Sequence, residues 1–189
     1  MEIESSSDDE LASTLSAFAG PRRLETEQLI FRDFAHFKFS PHDHDVNKLL
    51  ALATFRFCQE LELVVSVPHS LHIAVVIRLL VSYGFDAEDI EQLMALSLAR
   101  LQLLNSLMNK MRHEERGMCV IVQMYLTHCF LYDEHIPLRE WHAQFFEEYC
   151  DLATLEDAVV KLWRQNDYRI LVAEPQLDAC VTLLRQPVN

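Results

Sequence analysis

The segment from Gly117 to Tyr132 is apolar at nearly every position, GMCVIVQMYLTHCFLY. A helix with apolar residues on all sides must be enclosed by other elements of the fold. The run is too short to cross a bilayer, and Gln123, Thr127 and His128 interrupt it. We therefore predict a buried central helix inside a bundle of helices, and no membrane span.

Composition points to the same fold class. Only 3 glycines and 6 prolines occur among the 189 residues, beside many Leu, Ala, Met, Gln and Glu. Such usage favours helices over the turn-rich pattern of β-sandwiches and barrels. Half of the residues are apolar, which is enough for one sizeable core in a single domain. The predicted fold class is all-α.

Helix-start and helix-stop residues place the other elements. Asp45 and Asp86 are the expected N-caps, and Gly84 is an expected C′ glycine. The helix after Asp86 is predicted to bury one apolar stripe, with Glu91 and Arg100 outside it. The predicted helices cover residues 46–63, 67–83, 87–111, 117–132, 138–149 and 154–166, and a terminal segment starts at 175.

The start of the chain differs from the rest. Residues 1–23 are predicted to form an acidic flexible tail, because EIESSSDDE has too little apolar surface to offset the entropy of ordering. Its serines, 5–7, precede acidic residues, a context that acidophilic kinases favour; the alternative is a solvated tail without regulation. Residues 24–44, with LETEQLIFRDFAHFKF, form a predicted apolar arm that packs on the domain as a helix or an extended chain. The helical domain then covers residues 45–189.

Charge and cysteine usage limit the class of partner. The formal net charge of -13, with only 16 Lys and Arg, argues against nucleic-acid binding, which depends on neutralising phosphates. A protein partner with a basic patch suits the chain better. The five cysteines lack CxxC spacing and mostly fall in apolar helical patterns, so we expect reduced core residues. Because no secretory signal is evident, we expect an intracellular protein of the cytoplasm or nucleus.

Residues 117–185 resemble the second half of a cyclin box. Their successive segments are the apolar GMCVIVQMYLTHCFLYDE, the short PLREWHAQFF with Trp141, and a long amphipathic helix that ends in RQNDYRILV. The sequence looks most like the divergent P/U-type cyclins, the phosphate-signalling and cyclin Y-like branch. In that branch acidic residues, here Asp133 and Glu134, follow the third helix of the box. The five helices of the box correspond to segments between 67 and 166, and the resemblance covers about 120 residues.

This resemblance implies a fold and a function. The fold is a five-helix bundle around a buried third helix, with an extra helix or arm before it. The function is that of a regulatory subunit, which binds and activates a cyclin-dependent protein kinase by pressing on the kinase's regulatory helix. Because the kinase supplies the chemistry of phosphoryl transfer, the chain itself needs no catalytic residue, cofactor or metal ion.

The resemblance also implies which residues face the kinase. Many cyclins carry a Lys near the end of the third helix and a Glu in the fifth, which together hold the kinase backbone. The corresponding positions here are His128 and Val159, or Glu156 if the alignment shifts by one turn. With Asp133 and Glu134, these are the expected kinase-facing residues. Because Val159 cannot accept a hydrogen bond, the alternative is a degenerate box or a helical adaptor that binds proteins without activating a kinase.

A third possibility is a metal-dependent helical hydrolase of the HD kind. The turn PHDHD at 41–45 carries imidazole and carboxylate ligands, and His69 and His72 lie one helical turn apart. These residues and His128 would have to converge; the alternative is a polar turn with a helix cap, beside an exposed helix face. No GxGxxG, P-loop, HExxH or GxSxG pattern occurs. We predict that the protein is not an enzyme.

Overall fold

The computed structural model describes residues 32–63 and 67–187, and within these ranges the fold is helical without a β-strand. The predicted all-α class is confirmed. The acidic tail, 1–23, and the first part of the apolar arm lie outside the described residues. The helices are α1 (His44–Glu60), α2 (Val67–Ser82), α3 (Ala87–Leu103), α4 (Asn105–Met108), α5 (His113–Leu131), α6 (Leu138–Trp141), α7 (Leu152–Gln165) and α8 (Glu174–Leu184), with a π-helical turn at His142–Phe146 that continues α6.

The most enclosed element is α3, which packs against α1, α2, α5 and α8. All of its residues from 93 to 101 are buried. The prediction of a single buried stripe is wrong here, because helices cover α3 on several sides and Glu91 and Arg100 lie inside with the apolar residues. The predicted central helix, α5, packs against α2, α3 and α7 and is buried over 120–124 and 126–128. The core therefore has two neighbouring central helices.

Aspartate side chains cap the first turns of the helices. Asp43, and not the predicted Asp45, caps α1 by accepting a hydrogen bond from the Val46 amide at 3.0 Å. Asp86 caps α3 as predicted, and its Oδ1 lies 2.9 Å from the Asp89 nitrogen. Such bonds satisfy amide groups that have no partner within the helix. The cap at Asp43 starts α1 two residues before the predicted position 46.

Two predicted boundaries around α5 differ from the structure. The predicted helix 87–111 is divided at Leu104 into α3 and the short α4. α5 starts at His113, earlier than predicted, because Glu115 accepts a hydrogen bond from the Arg112 amide at 2.9 Å. This bond from the Glu115 side chain back to the Arg112 amide brings the charged segment before Gly117 into the first turn of the helix.

Gly84 ends α2 in a Schellman motif. Its φ of 93° lies in the left-handed region, which glycine adopts without a steric penalty. The Gly84 amide donates to the Val81 carbonyl at 3.0 Å, and the Phe85 amide donates to the Leu80 carbonyl at 3.2 Å. The predicted C′ glycine is therefore confirmed.

The described part of the arm packs on the helical domain. Residues 32–36 form a helical turn, and Phe34 and Phe39 are buried in the core. Phe37 packs against the core, and the guanidinium carbon of Arg78 lies 5.1 Å from its ring centroid. Such a distance is typical of a cation–π contact. Phe34, Phe37 and Phe39 thus hold residues 32–39 of the arm against the helical domain.

Two buried polar residues of α3 reach parts of the chain that are distant in sequence. The Arg100 guanidinium donates to the Ile170 carbonyl at 2.6 Å and to the Leu171 carbonyl. The Glu91 carboxylate accepts two hydrogen bonds from the Arg185 Nε, at 2.9 and 3.0 Å. These contacts fix the segments before and after α8 to the centre of the fold.

A buried polar network joins α3, α5 and the end of α7. The Ser97 hydroxyl donates to the Thr127 hydroxyl at 3.0 Å, and the Gln123 amide nitrogen lies 3.3 Å from the same oxygen. The Asn166 amide donates to Gln123 Oε1 at 2.9 Å. Gln123 and Thr127 thus pair with each other and connect α5 to Ser97 of α3 and to Asn166 at the C-terminal end of α7.

Two further features bear on the chemistry of the chain. All five cysteines are free, and Cys58 and Cys180 are buried. Burial raises the pKa of the Cys119 thiol to about 11, which disfavours the reactive thiolate. Of the helices in 32–63 and 67–187, none has both the length and the apolar character needed to cross a membrane.

Arg100→Met is expected to lower the free energy of unfolding by about 1–3 kcal/mol, because it leaves the carbonyls of Ile170 and Leu171 without their donors. The measurement is urea denaturation followed by circular dichroism. Arg164→Met, at an exposed position on α7, is the matched control and should change stability by less than about 0.5 kcal/mol. Equal effects of the two substitutions would contradict the structural role of Arg100.

Candidate partner-binding surface

His128 lies inside the fold. Its Nε2 accepts a hydrogen bond from the Ile136 amide at 2.9 Å, and its side chain is fully buried. The rings of Phe85 and Trp141 lie 5.0 and 6.0 Å away between centroids. His128 therefore fixes the loop after α5 and is not among the residues that a partner could contact directly, in contrast to the expectation from the sequence.

The environment of His128 keeps its ring neutral. Burial, and to a smaller extent the nearby His135, lowers the pKa of His128 from an ordinary 6.5 to about 4. The hydrogen bond from Ile136 requires a lone pair on Nε2, which protonation would remove. The neutral ring is therefore part of the folded structure.

Glu156 and Cys129 both lie near Tyr125, where α5 meets α7. The Tyr125 hydroxyl is hydrogen-bonded to Cys129, and burial raises the pKa of Tyr125 above its usual range. The hydrogen bond with Cys129 and the charge of Glu156 add to this rise. The exposed Glu156 carboxylate therefore lies near Tyr125, in the C-terminal half of α5.

The other predicted residues are dispersed. Val159 is half-buried and packs against the core. Asp133 and Glu134 are exposed and line a cleft of about 560 Å³ with Tyr83 and Phe85. They therefore lie with the turn between α2 and α3, whereas Glu156 and Val159 belong to α7.

Large apolar side chains are exposed on α5, on α7 and on the turn after α7. The exposed fraction is 49% for Phe130, 43% for Trp163 and 58% for Tyr168. Val160 and Leu171 are exposed as well, and we call these five residues the docking surface. The rings of Trp163 and Tyr168 are in contact, and adjoining exposed apolar groups of this kind are typical of interaction sites.

Trp163 lies outside the buried face of α7. In the structure Leu155 and Leu162 are buried, and Trp163 follows Leu162 about 100° further around the helix. Val160 and Trp163 lie one turn apart and form a second apolar stripe. That spacing was the signal in the sequence that could have identified an exposed apolar face.

The turn after α7 has an unusual backbone. Asp167 and Tyr168 have φ values of 51° and 56°, in the left-handed region that residues with a side chain seldom adopt. The Asp167 amide donates to the Arg164 carbonyl at 2.9 Å, and the Tyr168 amide donates to the Trp163 carbonyl at 3.0 Å. This is a Schellman motif in which Asp167 occupies the position usually held by glycine.

An aromatic contact accompanies this motif. The rings of Trp163 and Tyr168 meet edge to face, with 5.2 Å between centroids. From the core side, Asn166 is bonded to Gln123 and the carbonyl of Ile170 is bonded to Arg100. Strained backbone that is held from several sides tends to occur where a surface is preorganised for binding. The two exposed rings are therefore presented in a fixed arrangement.

A separate cleft of about 700 Å³ lies between α5 and α7, which we call the α5–α7 cleft. Most of its wall is apolar, with Met118 and Val122 from α5 and Ala158 from α7. Lys161 at its edge is paired with Asp157 at 2.5 Å. The cleft is large enough to enclose part of a ligand or of a partner protein.

The residues considered for a metal site do not converge. Asp43 is the cap of α1, and the neighbouring residues of the turn at 41–45 are exposed. His128 is in the core, and the side chain of His69 lies outside the described residues. Across the described part of the chain, no group of three or more His, Cys, Asp or Glu side chains is arranged to hold a metal ion.

Comparisons with family models, with curated proteins and with solved structures find no match to this chain. The all-α class rests on the structure itself, and a cyclin-box arrangement of the helices is a proposal.

Acid should destabilise the fold through His128. Because its pKa is lower in the folded chain, the unfolded chain takes up the proton first, so the stability due to the neutral ring is complete above pH 6.5 and is lost as the pH falls towards about 4. Urea denaturation across that range should show a smaller pH dependence for His128→Gln than for the unchanged protein. His42→Gln, at an exposed histidine, is the control. An unchanged pH dependence in His128→Gln would contradict this assignment.

Asp167→Gly is expected to stabilise the fold by about 0.5–1 kcal/mol, because glycine adopts the left-handed conformation without a steric penalty. The urea midpoint of unfolding measures the change. Asp133→Gly is the control, since Asp133 has no positive φ and glycine there only adds freedom to the unfolded chain. A loss of stability in Asp167→Gly would show that its side chain contributes more than the backbone strain costs.

Proposed function

We propose that this protein is a cyclin-like regulatory subunit that binds and activates a cyclin-dependent protein kinase. In this proposal α2, α3, α5, α6 with its π turn, and α7 are the five helices of the box. The arm and α1 precede them, and α8 follows. The kinase performs phosphoryl transfer, and the role of this protein is to hold the kinase's regulatory helix in its active position.

The observation that supports the proposal is the location of the docking surface. The cyclin resemblance assigns kinase contact to the third and fifth helices of the box, which are α5 and α7 here. Phe130 is exposed near the end of α5, and Val160 and Trp163 are exposed on α7, with Tyr168 on the turn that follows. Aromatic side chains in a fixed arrangement are frequent among the residues that dominate binding energy at interfaces.

The contact with the kinase differs in this proposal from the ionic one common in cyclins. His128 is buried, and Val159 cannot accept a hydrogen bond. Glu156 supplies an exposed carboxylate near the C-terminal part of α5. The apolar side chains of Phe130 on α5 and Trp163 on α7 are exposed on the same two helices. Burial of these side chains would then provide most of the affinity, because exposed ion pairs contribute little.

The alternative function is a helical adaptor that binds a protein partner without activating a kinase. The specific observation in its favour is that no Lys–Glu pair occupies the two positions where many cyclins hold the kinase backbone. Association and activation therefore have to be measured separately.

The purified protein is expected to co-elute with at least one member of a panel of cyclin-dependent kinases and to raise its activity on a peptide substrate. Trp163→Glu should weaken that association at least about tenfold, because it places a charge on the apolar contact. Leu49→Glu is the matched control, since Leu49 is 44% exposed but lies on α1, outside the box. Its affinity for the kinase should stay unchanged.

Circular dichroism confirms that each variant is folded before binding is measured. A folded protein that binds no kinase of the panel would contradict the proposal. Association without activation would support the adaptor alternative. Equal loss in Trp163→Glu and Leu49→Glu would show that the contact does not involve the docking surface.

A further inference from the structure

The α5–α7 cleft is separate from the docking surface. Ala158 and Lys161 line the cleft, whereas Val160 and Trp163 are exposed on α7. At 100° per residue, Trp163 lies roughly 140° around the helix from Ala158, and Val160 roughly 160°. A partner bound to the docking surface would therefore leave the cleft open.

The wall of the cleft is apolar over most of its length. Met111 and Met118 lie on one side, and Phe146, Leu155 and Ala158 lie on the other. Methionine side chains adapt to partners of different shape, and they are common at grooves that receive apolar side chains. The polar groups at the edge are mostly paired with one another, as in Arg112 with Glu115 at 2.8 Å.

One side of the cleft is bordered by negative charge. The sequence from 140 to 160 contains no Lys or Arg. The exposed carboxylates of Glu147, Glu148 and Asp151 are next in sequence to Phe146, Tyr149 and Cys150, which line the cleft. The chain as a whole has a net charge of -13, so a second copy of it would be repelled from this border. A cationic partner is favoured instead.

We propose that the α5–α7 cleft binds the apolar face of a basic amphipathic helix from a second protein partner. Apolar side chains spaced along one face of that helix enter the cleft, and its Lys and Arg residues meet the carboxylates of Glu147, Glu148 and Asp151. The acidic border distinguishes this occupant from a small apolar molecule, which would gain nothing from it. The inference does not depend on kinase binding.

Such a site would give α7 two interaction faces. One partner contacts Trp163 and Tyr168 on the outer side, and the other contacts Ala158 and Leu162 through the cleft. A protein with this arrangement can bring two other proteins together without chemistry of its own. This goes beyond the proposed kinase binding, which uses the docking surface alone.

The test uses the full chain and a fluorescein-labelled model peptide, an amphipathic helix built from Leu and Lys. A second peptide has the same apolar face with Glu in place of Lys. Fluorescence anisotropy at physiological ionic strength should show saturable one-to-one binding of the Leu/Lys peptide and at least about tenfold weaker binding of the Leu/Glu peptide. Equal binding of both peptides, or binding of neither, would overturn the proposal.

Substitutions separate the cleft from general attraction between opposite charges. Ala158→Trp fills the cleft and should weaken binding of the Leu/Lys peptide at least about tenfold. The double change Glu147→Gln with Glu148→Gln should weaken it and reduce its dependence on salt. Trp163→Glu is the control and should bind the peptide as the unchanged protein does. Unaltered binding by folded Ala158→Trp would overturn the proposal.

Thiol protection gives a second readout that needs no substitution. Cys150 lines the cleft, whereas Cys129 lies outside its lining. The Leu/Lys peptide should slow the alkylation of Cys150 by a maleimide and leave the rate at Cys129 unchanged, as measured by mass spectrometry. Equal rates at Cys150 with and without saturating peptide would show that the peptide binds elsewhere, and would overturn the proposal.

Discussion

The buried guanidinium of Arg100 determines the path of the chain after α7. A charged group in the core is costly unless hydrogen bonds compensate for the lost water. Arg100 obtains this compensation from the carbonyls of Ile170 and Leu171, which must therefore lie against α3. Because those residues follow α7 directly, the same bonds set the position of the turn at 166–168 and of the segment that leads to α8.

The turn at 166–168 determines which side chains at the end of α7 are exposed. Its left-handed residues, Asp167 and Tyr168, reverse the chain within a single Schellman motif. The reversal brings the Tyr168 ring onto Trp163, and both rings stay exposed. The buried Arg100 of α3 thus helps to fix the exposed Trp163–Tyr168 pair at the end of α7.

Features that depend on neighbouring residues could be predicted from the sequence. The C′ glycine Gly84 and the cap Asp86 act within one turn of their own position, and both predictions are confirmed. Features that depend on distant partners could not. The helical pattern places Arg100 outside the buried stripe. Its burial depends on two carbonyl acceptors that lie 70 and 71 residues further along the chain, and a local pattern does not reveal them. The burial of His128 has the same origin, since its partner is an amide of the loop after α5, whose position the helical pattern does not specify.

In the candidate site too, the features set by distant partners could not be predicted from the sequence. Glu156 was expected only from the one-turn shift of the alignment and lies near Tyr125 of α5, but the apolar character of the surface around it depends on which face of α7 is buried. α7 buries only Leu155 and Leu162 of its own residues. A helix held by so few apolar side chains depends on its ends, where Asp151 accepts from the Thr154 amide at 2.8 Å and Asn166 is bonded to Gln123. These terminal bonds fix the position of α7. One of its apolar sides is then exposed, and the opposite side lines the cleft.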